Sequence, residues 1–137
     1  MNTAISQLIK IFDQLPPDQA DVLLKKLLLE NPLAAMRIIQ RHFGFQDLIY
    51  ADDKGVDALL EKVGEATLHA ALHGENNDLI KRFALRFGSA KARTFIEDID
   101  AWSGPEAVQE GARRTMLVKA MMLFRRGQLG MHRPGID

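Results

Sequence analysis

The sequence contains no cysteine, and this absence excludes two kinds of architecture. A disulfide framework and a thiolate metal site both require cysteine side chains, and a cysteine-free chain suits a reducing cytosol. Long apolar runs are also missing, because the leucines of residues 27–29 are followed at once by Glu30. The first five residues carry no basic side chain. We therefore expect a cytoplasmic protein that is neither exported nor inserted into a membrane.

The chain also has no net charge, with 18 lysines and arginines against 18 acidic residues. This balance argues against nonspecific nucleic-acid binding, which depends on an excess of basic residues. The balance hides an asymmetry. Residues 1–78 carry seven basic and twelve acidic side chains, a net −5, and residues 79–137 carry eleven and six, a net +5. Two interpretations follow: opposite faces that serve different partners or self-association, or two ordinarily solvated surfaces.

Strand patterns are scarce, since no segment alternates apolar and polar residues for long. Apolar residues instead recur with helical spacing, and prolines or capping residues follow each break. We predict N-caps at Asn31, at Asp52 or Asp53, at Asn76 or Asn77, and at Ser89. Pro17 and Pro32 fit first-turn positions, and helix ends are expected at Gly64, Gly74, Gly88 and Gly127. The predicted fold is all-α, an armadillo-like stack of short helices ending in a helix of about 20 residues.

The segment 89–101 has the clearest helical period in the chain. Its predicted inward residues are Ala92, Phe95, Ile96, Ile99 and the following Trp102. Helical geometry then places Glu97 near the middle of the outer face, with Lys91, Arg93 and Asp98 towards its sides.

Three features in this order resemble the C-terminal region of the flagellar motor switch family, FliG: the joint His42-Phe43-Gly44-Phe45, the short helices after it, and Gly104-Pro105 before the last helix. The resemblance covers roughly residues 32–131. It implies armadillo-like helices over residues 1–43, a FliG C-terminal-type helical bundle over residues 44–131, and a flexible tail over residues 132–137.

The resemblance also implies a hinge at Phe43, Gly44 and Phe45. The family carries a Met-Phe-x-Phe element there, and His42 stands here in place of the methionine. Glycine permits extra backbone conformations while the two phenylalanines anchor the flanking helices. The alternative is two core phenylalanines at an ordinary helix end.

The family's torque helix, which faces a cytoplasmic loop of the stator subunit MotA, corresponds to residues 89–101. The resemblance places Glu97 and Asp98 at the family's paired acids and Lys91 and Arg93 close to a basic position that is Ala90 here. A second basic position is His73, and a third falls on Ala107. The implied partner-binding face is therefore Lys91, Arg93, Glu97, Asp98 and His73.

These features imply a non-enzymatic protein-interaction module that binds stator or switch-type proteins. It would act in the cytoplasm, at the inner face of the inner membrane in the flagellar basal body, without a cofactor. The alternative is an adaptor derived from the family that works outside the motor, through self-association or another helical partner. The short chain and the uncharged Ala90 and Ala107 favour this alternative.

Other candidate chemistry is weak. Glu65, His69 and His73 are spaced four residues apart and would share a helical face, either as a divalent-metal site or as ordinary solvent-exposed or capping groups. Glu97 and Asp98 point about 100° apart on a helix and lack a neighbouring nucleophile, so they do not form a catalytic pair. We predict no metal site and no enzyme activity.

Two arginine pairs flank the final helix, Arg113-Arg114 and Arg125-Arg126. They are compatible with a basic surface for a membrane or an acidic partner. Long side chains that solvate a helix and complement its C-terminal dipole are the simpler interpretation.

Overall fold

The computed structural model describes residues 3–134, and these residues form eight α-helices and one 3-10 helix. The helices are α1 (Thr3–Gln14), α2 (Pro17–Glu30), α3 (Pro32–Gln40), α4 (Asp53–Val63), α5 (Glu65–Leu72), α6 (Asn77–Ala84), α7 (Ser89–Ala101) and α8 (Glu106–Arg125), with the 3-10 helix Phe45–Tyr50 between α3 and α4. An isolated bridge between Ala51 and Met131 is the extent of β-structure in this range. The all-α class is confirmed. None of the described helices combines the length and apolarity that crossing a bilayer demands.

Three of the predicted N-caps are confirmed by hydrogen bonds from the first turn of their helices. The Asn31 side chain accepts a bond from the Ala34 amide at 3.3 Å. Asp52 and Asn76 accept equivalent bonds at 2.9 and 2.8 Å, so each is the cap rather than the residue after it. Pro17 and Pro32 occupy the first turns of α2 and α3, where a missing amide proton costs nothing.

The boundary between α6 and α7 differs from the prediction. Helix α6 ends at Ala84 rather than at Gly88, and Ser89 is the first helical residue of α7, with Gly88 as its N-cap. Phe87 explains the difference, because it falls four residues after Phe83 and so continues the apolar period of α6 past the end of the helix. It lies beyond that helix, and its ring packs on Phe95 with centroids 5.0 Å apart. The hydrophobic contact across the turn, rather than helical period, explains its burial.

Helix α8 is the central element, since it packs against α2, α3, α4 and α5. Its buried residues are Ala112, Met116, Leu117, Val118, Ala120, Met121, Met122 and Leu123. They join buried residues of every other described helix in one continuous core. The N-terminal helices therefore pack on the bundle within the same chain. The division at residue 43 stays a prediction.

The segment after α8 turns back along the start of α4. Gly127 has a φ of +71°, as the predicted helix end requires. The Asp52 amide then donates to the Gly130 carbonyl and the His132 amide donates to the Tyr50 carbonyl, each at 2.9 Å. Arg133 donates to the His42 carbonyl at 2.6 Å. The predicted flexible tail therefore begins with bonded residues, and its last three positions, 135–137, lie outside the described residues.

Candidate protein-interaction surface

Helix α7 is held against α5 and α6 by a narrow apolar face. Phe95 and Ile99 are its buried residues, and the Phe95 ring contacts both Phe87 and His69, the latter with centroids 5.6 Å apart. Ile96 was expected inside, but 39% of its surface is exposed. Ile96 lies 100° around the helix from Phe95, on the side of α7 that lines an open cleft next to α6.

The outer face of α7 carries the predicted charges. Lys91, Arg93, Glu97 and Asp98 are all exposed. The Lys91 ammonium lies 4.9 Å from the centre of the Phe87 ring, and the Asp98 carboxylate lies 4.0 Å from a nitrogen of His69. Arg93 and Glu97 have no ion pair with any residue in the range 3–134. These two charges therefore project from a rigid helix without an internal partner.

His73 lies in a different environment from the other four predicted residues. Its Nδ1 is 2.8 Å from the Ile99 carbonyl, and its ring packs on Trp102 with centroids 5.4 Å apart. The side chain is half-buried beneath the C-terminal end of α7. The structure thus brings Lys91, Arg93, Glu97 and Asp98 together on one helix and leaves His73 under it, as a group that secures the helix end.

The two histidines of α5 face separate groups. His69 is directed towards Asp98, while His73 is engaged with Ile99 and Trp102. Among the described residues, no three histidine or acidic side chains are arranged to hold a metal ion. The capping interpretation of His73 agrees with its contact to a carbonyl of the last turn of α7.

A cleft of about 310 Å³ lies between α6 and α7, beside the exposed charges. Its walls are formed by Gly74, Glu75, Asn77, Ile80, Lys81, Ile96, Glu97, Ile99 and Asp100. Ile80, Ile96 and Ile99 supply apolar surface, and Glu97 and Asp100 stand at its edge. The sequence pattern did not predict this cleft, because the cleft depends on how α6 and α7 pack against each other.

The predicted hinge lies between α3 and the 3-10 helix. Phe43 is buried, and its ring meets Phe124 of α8 edge-on at 5.6 Å. Phe45 lies under the guanidinium of Arg113 at 5.6 Å. Gly44 has a φ of −104° and a ψ of 179°, an extended conformation open to any residue. The glycine is therefore not required by the conformation described here.

His42, beside this joint, is the histidine with a displaced pKa. Burial of its ring lowers the pKa, Asp13 opposes that effect, and Arg41 and Arg125 add to it. The ring packs on Phe124 with centroids 5.7 Å apart. Burial in this joint is thus the largest cause of the lowered pKa of His42.

Ion pairs between distant segments are a feature that the sequence pattern did not predict. Arg126, the residue directly after α8, reaches Asp18 and Asp21 on α2, each at 2.6 Å. Arg86, two residues beyond the end of α6, binds Asp57 on α4 at 2.8 Å, and this hydrogen bond lowers the pKa of the Asp57 carboxyl. In each pair the acid comes from residues 1–78 and the base from residues 79–137. The opposite charges of the two halves were the available signal.

Helix α8 also satisfies the C-terminal carbonyls of α5. Gln109 donates to the Ala70 and His73 carbonyls at 3.1 and 2.7 Å. Arg113 donates to the carbonyls of Ala71 and His73 and pairs with Glu75 at 2.7 Å. These bonds fix the end of α5, and with it the loop that forms one wall of the cleft.

A comparison with known families decides the relationship of this chain. The model of the FliG C-terminal domain matches residues 25–131, which include the joint, the cleft and all of α7. The chain belongs to the FliG C-terminal domain family.

Individual FliG proteins agree with this assignment. The flagellar motor switch protein FliG of Aquifex aeolicus is 27% identical over 92 residues, and that of Thermotoga maritima is 30% identical over 88 residues. These alignments span 67% and 64% of this chain but only 28% and 26% of the two FliG proteins. The chain therefore corresponds to about a quarter of the length of these relatives.

Solved FliG structures share the fold. The structure of full-length FliG from Aquifex aeolicus superposes with a TM-score of 0.61 at 22% identity, over 93% of this chain and 40% of the other. A FliG fragment from H. pylori superposes with a TM-score of 0.62 at 21% identity, over 90% of this chain and 59% of the other. The superposition includes the N-terminal helices as well as the bundle, since it covers nearly the whole chain.

Proposed function

We propose that this protein is a non-enzymatic interaction module that binds a stator or switch-type protein of the flagellar motor through the outer face of α7. It acts in the cytoplasm, at the inner face of the membrane that carries the motor. Lys91, Arg93, Glu97 and Asp98 form the contact, and no cofactor takes part. Membership of the FliG C-terminal family supports the motor assignment.

The observation that carries this proposal is the contrast in charge pairing around α7. Four arginines in or directly after α6 and α8 pair with acids of other segments: Arg82, Arg86, Arg113 and Arg126. Arg93 and Glu97 have no such partner in the described chain, although they sit on a helix whose other face is anchored. Charges of both signs, presented rigidly and left unpaired, suit recognition of a complementary protein surface more than they suit stability.

A charge swap on α7 tests the proposal. In the variant Arg93→Glu/Glu97→Lys the net charge is unchanged, and the new pair has the favourable acid-before-base order along a helix. Tagged wild-type protein is expected to recover stator or switch proteins from its native lysate, and the swapped variant is expected to lose them.

The matched control is Glu61→Lys/Lys62→Glu, a swap at two exposed positions of α4 that also keeps the net charge. It is expected to recover the same proteins as the wild type. Equal recovery by the wild type and the α7 swap would exclude this face as the contact surface.

The hinge of Phe43, Gly44 and Phe45 belongs to the same proposal, as the joint that lets the bundle adjust to its partner. A Cβ on Gly44 would meet only the Asp47 carboxylate at 3.8 Å, so Gly44→Ala fits the described conformation. We expect the variant to be as stable as the wild type or more stable by about 0.4–1 kcal/mol. If the joint acts as a hinge, Gly44→Ala should associate with the partner more slowly than the wild type does, as measured by surface-binding kinetics. Unchanged kinetics would leave Gly44 as an ordinary connecting residue.

A second candidate function is an adaptor that acts through self-association. Apolar side chains of the N-terminal helices are exposed at Ile11, Val22, Leu29 and Leu33, and Leu29 is 86% exposed. Such a surface on stacked short helices suits packing against another copy. Light scattering over a range of concentrations tests it, with Val22→Ser/Leu29→Ser as the variant that should reduce association. A monomer at every concentration would reject this candidate.

A further inference from the structure

The cleft between α6 and α7 presents apolar surface that the fold does not use. Ile96 projects from α7 beside Ile80 of α6, and both line the cleft together with the buried Ile99. A partly exposed isoleucine on an otherwise charged face keeps apolar surface in contact with water, which is unfavourable. A partner that covers this surface therefore binds with a favourable free energy. The cleft volume, about 310 Å³, lies at the lower end of the range for ligand pockets, ~300–1,000 Å³. It fits part of a peptide segment.

The charges at the edge of the cleft select the occupant. Glu97 and Asp100 are exposed and have no ion pair within the described chain. Glu75 also lines the cleft, but Arg113 already neutralises it. Lys81 is the basic residue of the lining. Two unpaired carboxylates against one ammonium leave an excess of negative charge next to an apolar floor.

We propose that this cleft binds a protein segment in which an aliphatic side chain is flanked by basic residues. The aliphatic side chain covers Ile96 and Ile80, and the basic groups pair with Glu97 and Asp100. The inference rests on the proposed function, because it specifies what the partner of the α7 face must present. It adds three residues that the charge pattern of α7 alone does not select: Ile80, Ile96 and Asp100.

Asp98, which belongs to the proposed contact of α7, lies outside the cleft. It lies on the same helix as Glu97 and Asp100 but is directed to His69, on the side of α7 away from the cleft. A partner attracted only by the negative charge of α7 would sense Asp98 and Asp100 alike. A segment seated in the cleft contacts Asp100 and not Asp98.

The probe is a nine-residue peptide, blocked at both ends, with a central leucine between two arginines. It is titrated into the complete isotope-labelled protein and followed by amide chemical shifts. We expect saturable shifts at Ile80, Ile96 and Asp100. Peptides with glutamates in place of the arginines, or alanine in place of the leucine, should bind at least about ten-fold more weakly, the size of a lost aliphatic contact.

Two protein variants sharpen the result. Asp100→Asn should weaken binding about three-fold, as expected for one exposed ion pair. Glu61→Gln, at an exposed acid of α4 outside the cleft lining, should leave it unchanged. Ile96→Ser changes an exposed side chain, so the protein should fold normally by circular dichroism and lose the peptide. The absence of saturable shifts at millimolar peptide, equal binding of the acidic peptide, or shifts centred away from α6 and α7 would each overturn the inference.

This titration contains no motor protein, so its failure is distinguishable from failure of the proposed function. If the peptide does not bind but the α7 charge swap still abolishes recovery of motor proteins, the cleft proposal alone is rejected. If the peptide binds in the cleft but the swap leaves recovery unchanged, the motor-binding proposal is rejected and the cleft remains.

Discussion

The arginines of α6 and α8 and the charges of α7 are the same residue types in two different roles. Arg86, Arg113 and Arg126 each pair with an acidic side chain of a distant segment within the first 78 residues. Arg93 and Glu97 stand on the surface without an ion pair in the described range. The first group joins helices that are far apart in sequence, and the second is available to another molecule.

This difference explains the charge asymmetry of the sequence. An acidic first half and a basic second half suggested either faces for different partners or two solvated surfaces. The paired residues instead meet across the contacts that α4 and α2 make with α6 and α8. Much of the asymmetry is therefore used inside one molecule. The basic pair Arg125-Arg126 also makes contacts within the molecule. Arg125 binds the Leu15 carbonyl and covers the Phe12 ring, and Arg126 pairs with Asp18 and Asp21.

The largest effect is expected at Arg113, because its acidic partner Glu75 is the most enclosed acid of the described ion pairs, with 9% of its side chain exposed. Removal of Arg113 leaves Glu75 without its ion pair and the Ala71 carbonyl without this donor, while the His73 carbonyl keeps its bond from Gln109. Because Arg113 is itself partly exposed, we expect Arg113→Ala to cost about 2–3 kcal/mol, below the usual range for a fully buried pair. Urea unfolding measures it. Arg113→Lys keeps the charge but not the forked geometry of the guanidinium. Its free energy of unfolding should lie between those of the wild type and Arg113→Ala.

A loss below about 0.5 kcal/mol in Arg113→Ala would place this arginine among ordinary surface residues. It would also mean that an arginine paired between segments stabilises the fold no more than Arg93 or Glu97 does.

A smaller effect is expected at Arg126, whose two partners differ in exposure. Asp21 has 16% of its side chain exposed and Asp18 has 89%. Arg126→Ala should destabilise the fold less than Arg113→Ala does, and less again at high salt, because solvent and ions screen the charge of an exposed arginine. A double-mutant cycle should give a larger coupling free energy for Arg126 with Asp21 than with Asp18. Equal couplings would show that burial does not determine the strength of this link.

The third prediction concerns acid, and it uses the Asp57–Arg86 pair. The hydrogen bond from Arg86 lowers the pKa of Asp57 in the folded state. The pair therefore stabilises the fold above the unfolded carboxyl pKa of about 4, and this contribution is lost as the pH falls through the lower folded value. Since both side chains are substantially exposed, this contribution to the stability should be small.

Carboxyl chemical shifts followed against pH measure this directly. Asp57 should titrate below its ordinary value in the wild type and close to it in Arg86→Gln. The wild-type and variant stabilities should converge at the acid end of the titration. A midpoint for Asp57 that is the same in both proteins would contradict the assignment of Arg86 as the cause.

Local signals in the sequence predicted the helix starts well. Asn31, Asp52 and Asn76 cap their helices because each bond involves residues only three apart, which a pattern can reveal. The end of α6 was mistaken because Phe87 continued the helical period by coincidence. Its burial comes from Phe95 on the next helix, a contact that no local period encodes.

The candidate site was predictable in part for the same reason. Lys91, Arg93, Glu97 and Asp98 share an exposed helix face, which helical geometry alone can predict. His73 was assigned to that face from its position in the chain, whereas its environment is set by Trp102 and the Ile99 carbonyl. The cleft at Ile96 depends on the packing of α6 against α7. Such features require the relative placement of elements, which a single sequence does not contain.

The smallest effect on stability is expected where the effect on binding should be largest. Arg93→Ala and Glu97→Ala remove exposed groups without ion pairs in the described chain, so each should change the free energy of unfolding by less than about 0.5 kcal/mol. Urea unfolding of the two variants beside Arg113→Ala makes the comparison within one experiment.

Partner recovery should follow the opposite order if α7 is the contact surface. The α7 variants should lose motor proteins while remaining folded, because their charges serve another molecule rather than this one. A destabilisation of more than about 1 kcal/mol in either variant would mean that these charges also hold the fold together. Loss of binding would then reflect the loss of structure. Arg93 and Glu97 would no longer differ in role from the paired arginines.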